Sequence, residues 1–277
     1  MDAKTQQQYA ETFHNLHRNG DPLILFNAWD VATAKAIAKS SPAVATSSGA
    51  VASALGYADG EDVPLDMVTG LVSRITAAVS VPVSIDLEAG YGDTPDAAAE
   101  CAAKLLKAGA IGINIEDGLF GGKRQLVSPD RHAAKIKAVR HTAEKLGIHL
   151  FINARTDPFL LKFGSPDECL NEAAKRAKAY ADAGADGIFV PGLNNLPLIE
   201  KVRSTHAFAG QHHGDARGSR NPGSRARRCS ARKPWAVAHD GGDACHWTGR
   251  CRGCRLASST ARFCNRRPEH VPGSKPT

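Results

Sequence analysis

From residue 6 to about residue 204, short apolar runs alternate with longer segments of helical periodicity. Residues 6–19 have the spacing of a short amphipathic helix, and Leu23–Phe26 predicts a first strand leading into Asn27-Ala28-Trp29-Asp30. Asp30 is placed to cap a helix over Val31–Lys39, whose alanines favour that state. Ala43–Thr46 predicts a second strand ending in Ser47-Ser48-Gly49, and Leu65–Ala78 the next helix. Val81-Pro82-Val83-Ser84-Ile85 alternates like a buried strand and runs out through Asp86-Leu87-Glu88-Ala89-Gly90-Tyr91-Gly92. Thr94 as cap, with Pro95 at the first helical position, starts a helix reaching Lys107. Ile111–Glu116 is a fourth strand, and a glycine-rich loop from Gly118 to Gln125 separates it from a helix over Pro129–Leu146. His149–Asn153 is a fifth strand ending in Ala154-Arg155-Thr156-Asp157. A helix over Pro166–Ala183, a sixth strand Gly187–Val190 and a short helix near Leu196–Ser204 complete the pattern.

Strict alternation of strand and helix implies a parallel sheet. The polar residues collect at strand C-terminal ends, where barrels of this type carry their sites. The expected fold is α/β, of (β/α)8 TIM-barrel type, cut to about six strand–helix units. Asp86 and Glu88 leave one strand and Glu116 the next, so three acids reach one rim. Singly, each could cap a helix or pair with a lysine; together they point to a cation, because converging carboxylates are costly without one.

Charge divides the chain sharply. Residues 1–205 carry 21 Lys+Arg against 24 Asp+Glu, whereas 206–277 carry 14 against 4, and Arg outnumbers Lys there 12 to 2. Cys101 and Cys169 precede the boundary and read as core or half-buried thiols; Cys229, Cys245, Cys251, Cys254 and Cys264 follow it. The polar start Met1-Asp2-Ala3-Lys4 has no signal-peptide core, and no apolar run has membrane length, so a soluble cytoplasmic protein with no membrane partner is expected.

Five motifs in order, Ser47-Ser48-Gly49, Leu55-Gly56 with Asp59, Asp86-x-Glu88-x-Gly90-x-Gly92, Ile115-Glu116-Asp117 and Ala154-Arg155-Thr156-Asp157, resemble the isocitrate lyase/phosphoenolpyruvate mutase superfamily. The resemblance covers residues ~1–205 and implies an (α/β)8 barrel making or breaking C–C or P–C bonds next to a carboxylate. It implies Mg2+, or Mn2+ in its place, held by Asp86 directly or through water, with Glu88 and Glu116 on metal-bound waters. A hard cation that keeps its waters suits such oxygen donors. It further implies that Arg155 grips the carboxylate of a small carboxylic-acid substrate. Ser47, Ser48 and Gly49 would line the oxyanion end, with Trp29 at the substrate rim; Asp59 would stand beside the metal-bound substrate and, with Glu116 and Arg155, serve catalysis. Two members, isocitrate and methylisocitrate lyase, carry a cysteine in the lid, where this chain has Lys123-Arg124-Gln125-Leu126. A less specialised lyase acting on an oxaloacetate-like or alkylmalate-like acid fits as well, with phosphonopyruvate mutase or hydrolase chemistry as the alternative.

The segment 206–277 contains neither Ile nor Met, and only Val237, Leu256 and Val271 among branched aliphatics. It cannot supply two barrel strands, so it is expected to form an irregular tail. Cys251-Arg252-Gly253-Cys254 with Cys245, His246 or Cys264 could hold zinc, although a lone C-x2-C is a sparse signal. The arginines show no helical stripe and little aromatic interleaving, which argues against a nucleic-acid partner. A one-base shift through permissible codons instead restores apolar, strand-like strings with glycine-rich exits. A shifted reading frame from about His206 is therefore the expected origin of the tail. A barrel left without strands seven and eight would expose open edges and aggregate. The homo-oligomer that the resemblance implies is expected only with an intact C-terminus.

Overall fold

The computed structural model describes residues 2–17, 23–119 and 125–193. Lid residues 120–124, the helix expected near 196–204 and the whole segment 206–277, with its shifted-frame, zinc and nucleic-acid readings, lie outside the described residues. Fifteen elements follow in chain order: α1 (Ala3–Leu16), β1 (Phe26–Ala28), α2 (Val31–Ala38), β2 (Val44–Thr46), α3 (Ser48–Leu55), α4 (Leu65–Ala78), β3 (Val83–Asp86), α5 (Pro95–Lys107), β4 (Gly112–Glu116), β5 (Gly118–Leu119), β6 (Gln125–Leu126), α6 (Pro129–Lys145), β7 (Phe151–Arg155), α7 (Pro166–Asp182) and β8 (Gly187–Phe189). Among the described residues, no helix is long and apolar enough to cross a membrane.

Six strands form one parallel sheet in the order β1-β2-β3-β4-β7-β8, winding in chain order as in a TIM barrel. Thr94 caps α5 and Asp30 caps α2 through a capping box with Thr33, as their sequence positions required. Several expectations shift. The first helix is Ala3–Leu16 rather than 6–19, because Asp2 caps it, and the strand expected at His149–Asn153 is Phe151–Arg155. The first strand is Phe26–Ala28 rather than Leu23–Phe26, because Phe26, Asn27 and Ala28 are the residues in register with Val44, Ala45 and Thr46. The Ser-Ser-Gly segment, expected as the end of the second strand, opens directly into α3 with Ser47 as its cap. The lid stem also pairs, Gly118 with Leu126 and Leu119 with Gln125, as a small antiparallel ribbon.

The period of two along each strand separates two environments. On one face of β4 and β7, Asn153 donates to Asn114 at 2.8 Å and Arg155 meets Glu116 at the strand ends. Phe13 of α1 closes the opposite end of this face, edge-on to Phe151 with ring centroids 5.3 Å apart and hard against Gly112. The other face buries Ile113, Ile115 and Ile152 in the apolar core, to which α5, α6 and α7 also contribute. Cys101 and Cys169 are buried free thiols, as expected.

Candidate active site

The rim is built from consecutive strand ends. Asp86 ends β3, and its Oδ2 accepts from Ser48 N at 3.1 Å and Ser48 Oγ at 2.8 Å. Ser48 was expected to line the oxyanion end of the substrate site with Ser47 and Gly49; here it turns to the protein's own carboxylate. Asp86 Oδ1 has no hydrogen-bond partner among the described residues. Thr46 Oγ1, at the end of β2, accepts from Asp86 N at 3.1 Å and fixes the strand exit. Ser47 accepts from Ala50 N as helix cap, and Asp59 stands 3.5 Å from where a Cβ on Gly49 would lie. Trp29, at 42% exposure, is on the surface after β1.

Glu88 is 4% exposed, and burial, aided by the charges of Asp86, Asp59 and Glu61, pushes its carboxyl up to about 7. Its Oε2 accepts from Gly60 N at 2.9 Å and Glu61 N at 2.7 Å. Glu116 is 3% exposed and bonded to Arg155 Nη1 at 2.7 Å. The same guanidinium forks onto Asp157, Nε to Oδ1 at 2.9 Å and Nη2 to Oδ2 at 3.1 Å, and lies 5.7 Å from the Phe189 ring centroid. Burial opposes the charge of Arg155, but Glu116 and Asp157 outweigh it and hold the group above its ordinary value. Arg155 was expected to grip a substrate; here two carboxylates of the chain occupy it.

Asp86, Glu88 and Glu116 share one rim, but their ligand atoms do not close on a single point. Among the described residues, the one group of three possible ligands within 4.8 Å is His14, His149 and Asp186, away from this rim. Those imidazoles are stacked 11° from parallel, so their in-plane lone pairs cannot converge on one ion, and Arg140 holds Asp186.

Several residues around the rim have no motif to announce them. Lys135 of α6 is buried and donates to Ala89 O at 2.8 Å and Gly92 O at 2.7 Å, anchoring the β3 exit. Gly92 has φ +152, and a Cβ there would lie 2.6 Å from Ala97 Cβ, so the last glycine of the motif serves packing against α5. Asp117, next to Glu116, is fully buried in the helix layer. Its Oδ2 accepts from Thr156 Oγ1 at 2.6 Å, Arg176 Nη1 at 2.9 Å and Tyr180 OH at 2.6 Å, and its Oδ1 from Asp157 N at 3.2 Å. Burial and the Asp117 charge raise the Tyr180 phenol above its ordinary value, which keeps it a donor.

The profile of the phosphoenolpyruvate phosphomutase family matches residues 13–209. The chain belongs to this family. Among its relatives, an uncharacterized protein of Mycobacterium tuberculosis is 38% identical over 185 residues, 66% of each chain. Oxaloacetate decarboxylase of Rhodopseudomonas palustris is 34% identical over 157 residues, 53% of this chain and 50% of that enzyme. A crystal structure from Burkholderia cenocepacia, provisionally named a phosphonomutase, superposes with TM-score 0.70 at 40% identity, covering 73% of this chain and 81% of that one. The chain thus spans about two thirds of the mycobacterial relative and half of the decarboxylase. The family match stops at residue 209, close to the change of charge and composition at 206.

Proposed function

We propose that this family member is an Mg2+-dependent lyase that cleaves a C–C bond of a small 2-oxo or hydroxy carboxylic acid to release a pyruvate-like product. The observation that carries the reading is Asp86. One of its oxygens is fixed by two donors from Ser48, and the other has no protein partner among the described residues, on a rim shared with Asp59 and Glu116. All the donors are hard oxygens, which fits Mg2+ or Mn2+. When bound, the cation supplies Lewis-acid stabilisation of negative charge developing on a substrate oxygen.

In this reading Asp86 is the direct ligand, and Ser48 fixes its orientation as a supporting donor should. Glu116, neutralised by Arg155, serves bound water rather than the ion. Asp59, exposed beside Gly49, faces the substrate, with Ser47, Gly49 and Trp29 along the same opening. Arg155 and Asp157 balance charge at the rim, and Arg155 meets a substrate carboxylate only by exchanging partners.

The test combines Mn2+ titration with metal-dependent pyruvate release from a panel of 2- and 3-carboxy acids. Saturable Mn2+ binding that is lost in Asp86→Asn, together with product formation, is the expected result. A chain that binds no Mn2+ and turns over none of the panel contradicts the proposal. A second reading, P–C bond chemistry on phosphonopyruvate, is supported by the 40% identity to the structure named a phosphonomutase. Phosphate release alongside pyruvate would identify a hydrolase of that kind.

A further inference from the structure

Two loops at the rim hold each other through their acids. Glu88 Oε2 accepts from Gly60 N and Glu61 N at 2.9 and 2.7 Å, while Glu61 Oε1 accepts from Tyr91 N at 2.6 Å. Tyr91 OH adds a longer contact to Glu88 Oε1 at 3.4 Å. Four non-glycine residues among those described have positive φ, and three of them are Glu61 (67°), Glu88 (54°) and Tyr91 (54°). Each such residue costs on the order of 1 kcal/mol, so the cross-bonds must hold all three in place. The residue preceding Gly60 is Asp59, whose carboxylate comes within 3.6 Å of the position a Gly49 Cβ would take.

We propose that Glu88 and Glu61 form a reciprocal latch between these loops, and that Glu88 is a positioning residue that sets Asp59 against the start of α3 instead of serving a cation. The use made of Asp59 rests on the lyase reading; the latch rests on its own bonds. Side-chain length is the deciding property. An aspartate would be one bond, about 1.5 Å, too short to reach both amides. The backbone alone would favour aspartate, which tolerates φ near +54° better than glutamate does. Glutamine would keep the reach, since its amide oxygen can accept two N–H bonds and its NH2 can donate to the Tyr91 oxygen.

The two roles therefore predict opposite outcomes for Glu88→Gln and Glu88→Asp in the full chain. Hydrogen exchange at the Gly60 and Glu61 amides and Mn2+ affinity by electron paramagnetic resonance are the readouts. As a latch, Glu88→Gln keeps amide protection and Mn2+ affinity within about threefold, and Glu88→Asp speeds exchange at both amides by about tenfold or more. The proposal is overturned if Glu88→Asp leaves both amides protected. It is also overturned if Glu88→Gln weakens Mn2+ by about tenfold or more while the amides stay protected, the signature of a carboxylate serving the ion. Should the Glu88 variants fail to fold, Glu61→Ala and Glu61→Gln decide through the Tyr91 amide. The latch requires faster exchange in the first and rescue in the second, and equal protection in both overturns it. A parent chain without Mn2+ affinity sinks the lyase reading, and the exchange measurements still decide the latch.

Discussion

Asp117→Asn tests the buried network behind the rim. The side chain is fully buried and receives four donors: the Thr156 hydroxyl, the Arg176 guanidinium, the Tyr180 phenol and the Asp157 amide. Asparagine fills the same volume but offers one acceptor oxygen. With that oxygen at the Oδ2 position, three donors are retained without the charge, and the NH2 group then faces the Asp157 N–H, donor against donor. Among the described residues, Arg176 then keeps Glu172 as its charged partner. Hydrogen bonds to a charged group contribute about 1.5–3 kcal/mol against about 1 for neutral ones, so the exchange should cost about 3 kcal/mol. With a urea slope of about 2 kcal/mol/M, the unfolding midpoint should fall by about 1.5 M, read by far-UV circular dichroism on the full chain without added metal. A fall of less than about 0.3 M would refute the assignment of Asp117 as the tie between β4, the β7 exit and α7. A double-mutant cycle with Arg176→Met should show coupling of about 1 kcal/mol or more, and additivity would count equally against the network.

His132, buried with no hydrogen-bond partner for either ring nitrogen among the described residues, has its pKa pushed down from 6.5 to about 3, first by burial and then by the charge of Lys135. The unfolded chain takes up this proton below pH 6.5 while the folded one does not, so stability is full above 6.5 and is lost as pH falls toward 3. The slope should be about 1.4 kcal/mol per pH unit, and His132→Leu should flatten it; an unchanged acid limb would disprove the role. Lys135→Met leaves the Ala89 and Gly92 carbonyls without their donor and should cost about 1–3 kcal/mol, with faster proteolysis near residue 90. Gly92→Ala places a methyl against Ala97 at a φ that L-residues rarely adopt. It should cost about 2 kcal/mol or more in urea unfolding, and a neutral result would show that α5 can yield there.

The helices after α1, α3 apart, were legible to within a residue or two, whereas α1, capped by Asp2, begins three residues before its expected start. Leu65–Ala78 and Pro95–Lys107 are as expected, because periodicity and, for the latter, Thr94-Pro95 define their ends. α3 was not legible, since Ser48-Gly49-Ala50 has the composition of a loop and becomes helical through Ser47 and the contact with Asp86. The ordered motifs fall at one rim of the sheet but span two environments. In Ile115-Glu116-Asp117 the middle acid faces Arg155 and the last faces Arg176 on the other side of the sheet. Glu61 and Lys135 carry no motif, and their partners are backbone atoms 30 and more than 40 residues away, contacts that only the folded chain brings together. The run Asp59-Gly60-Glu61-Asp62 was the available hint, an acid-rich turn where a loop with no role would not need one.

If this rim receives a substrate carboxylate as proposed, the guanidinium of Arg155, shared between Glu116 and Asp157, would make its recognition a barter. A carboxylate arriving there gains one ion pair as the protein gives one up, so the count of pairs does not change. Affinity should then track the shape and basicity of the incoming acid and depend little on ionic strength. Simple anions such as chloride, which cannot fork onto a planar donor, would be poor competitors.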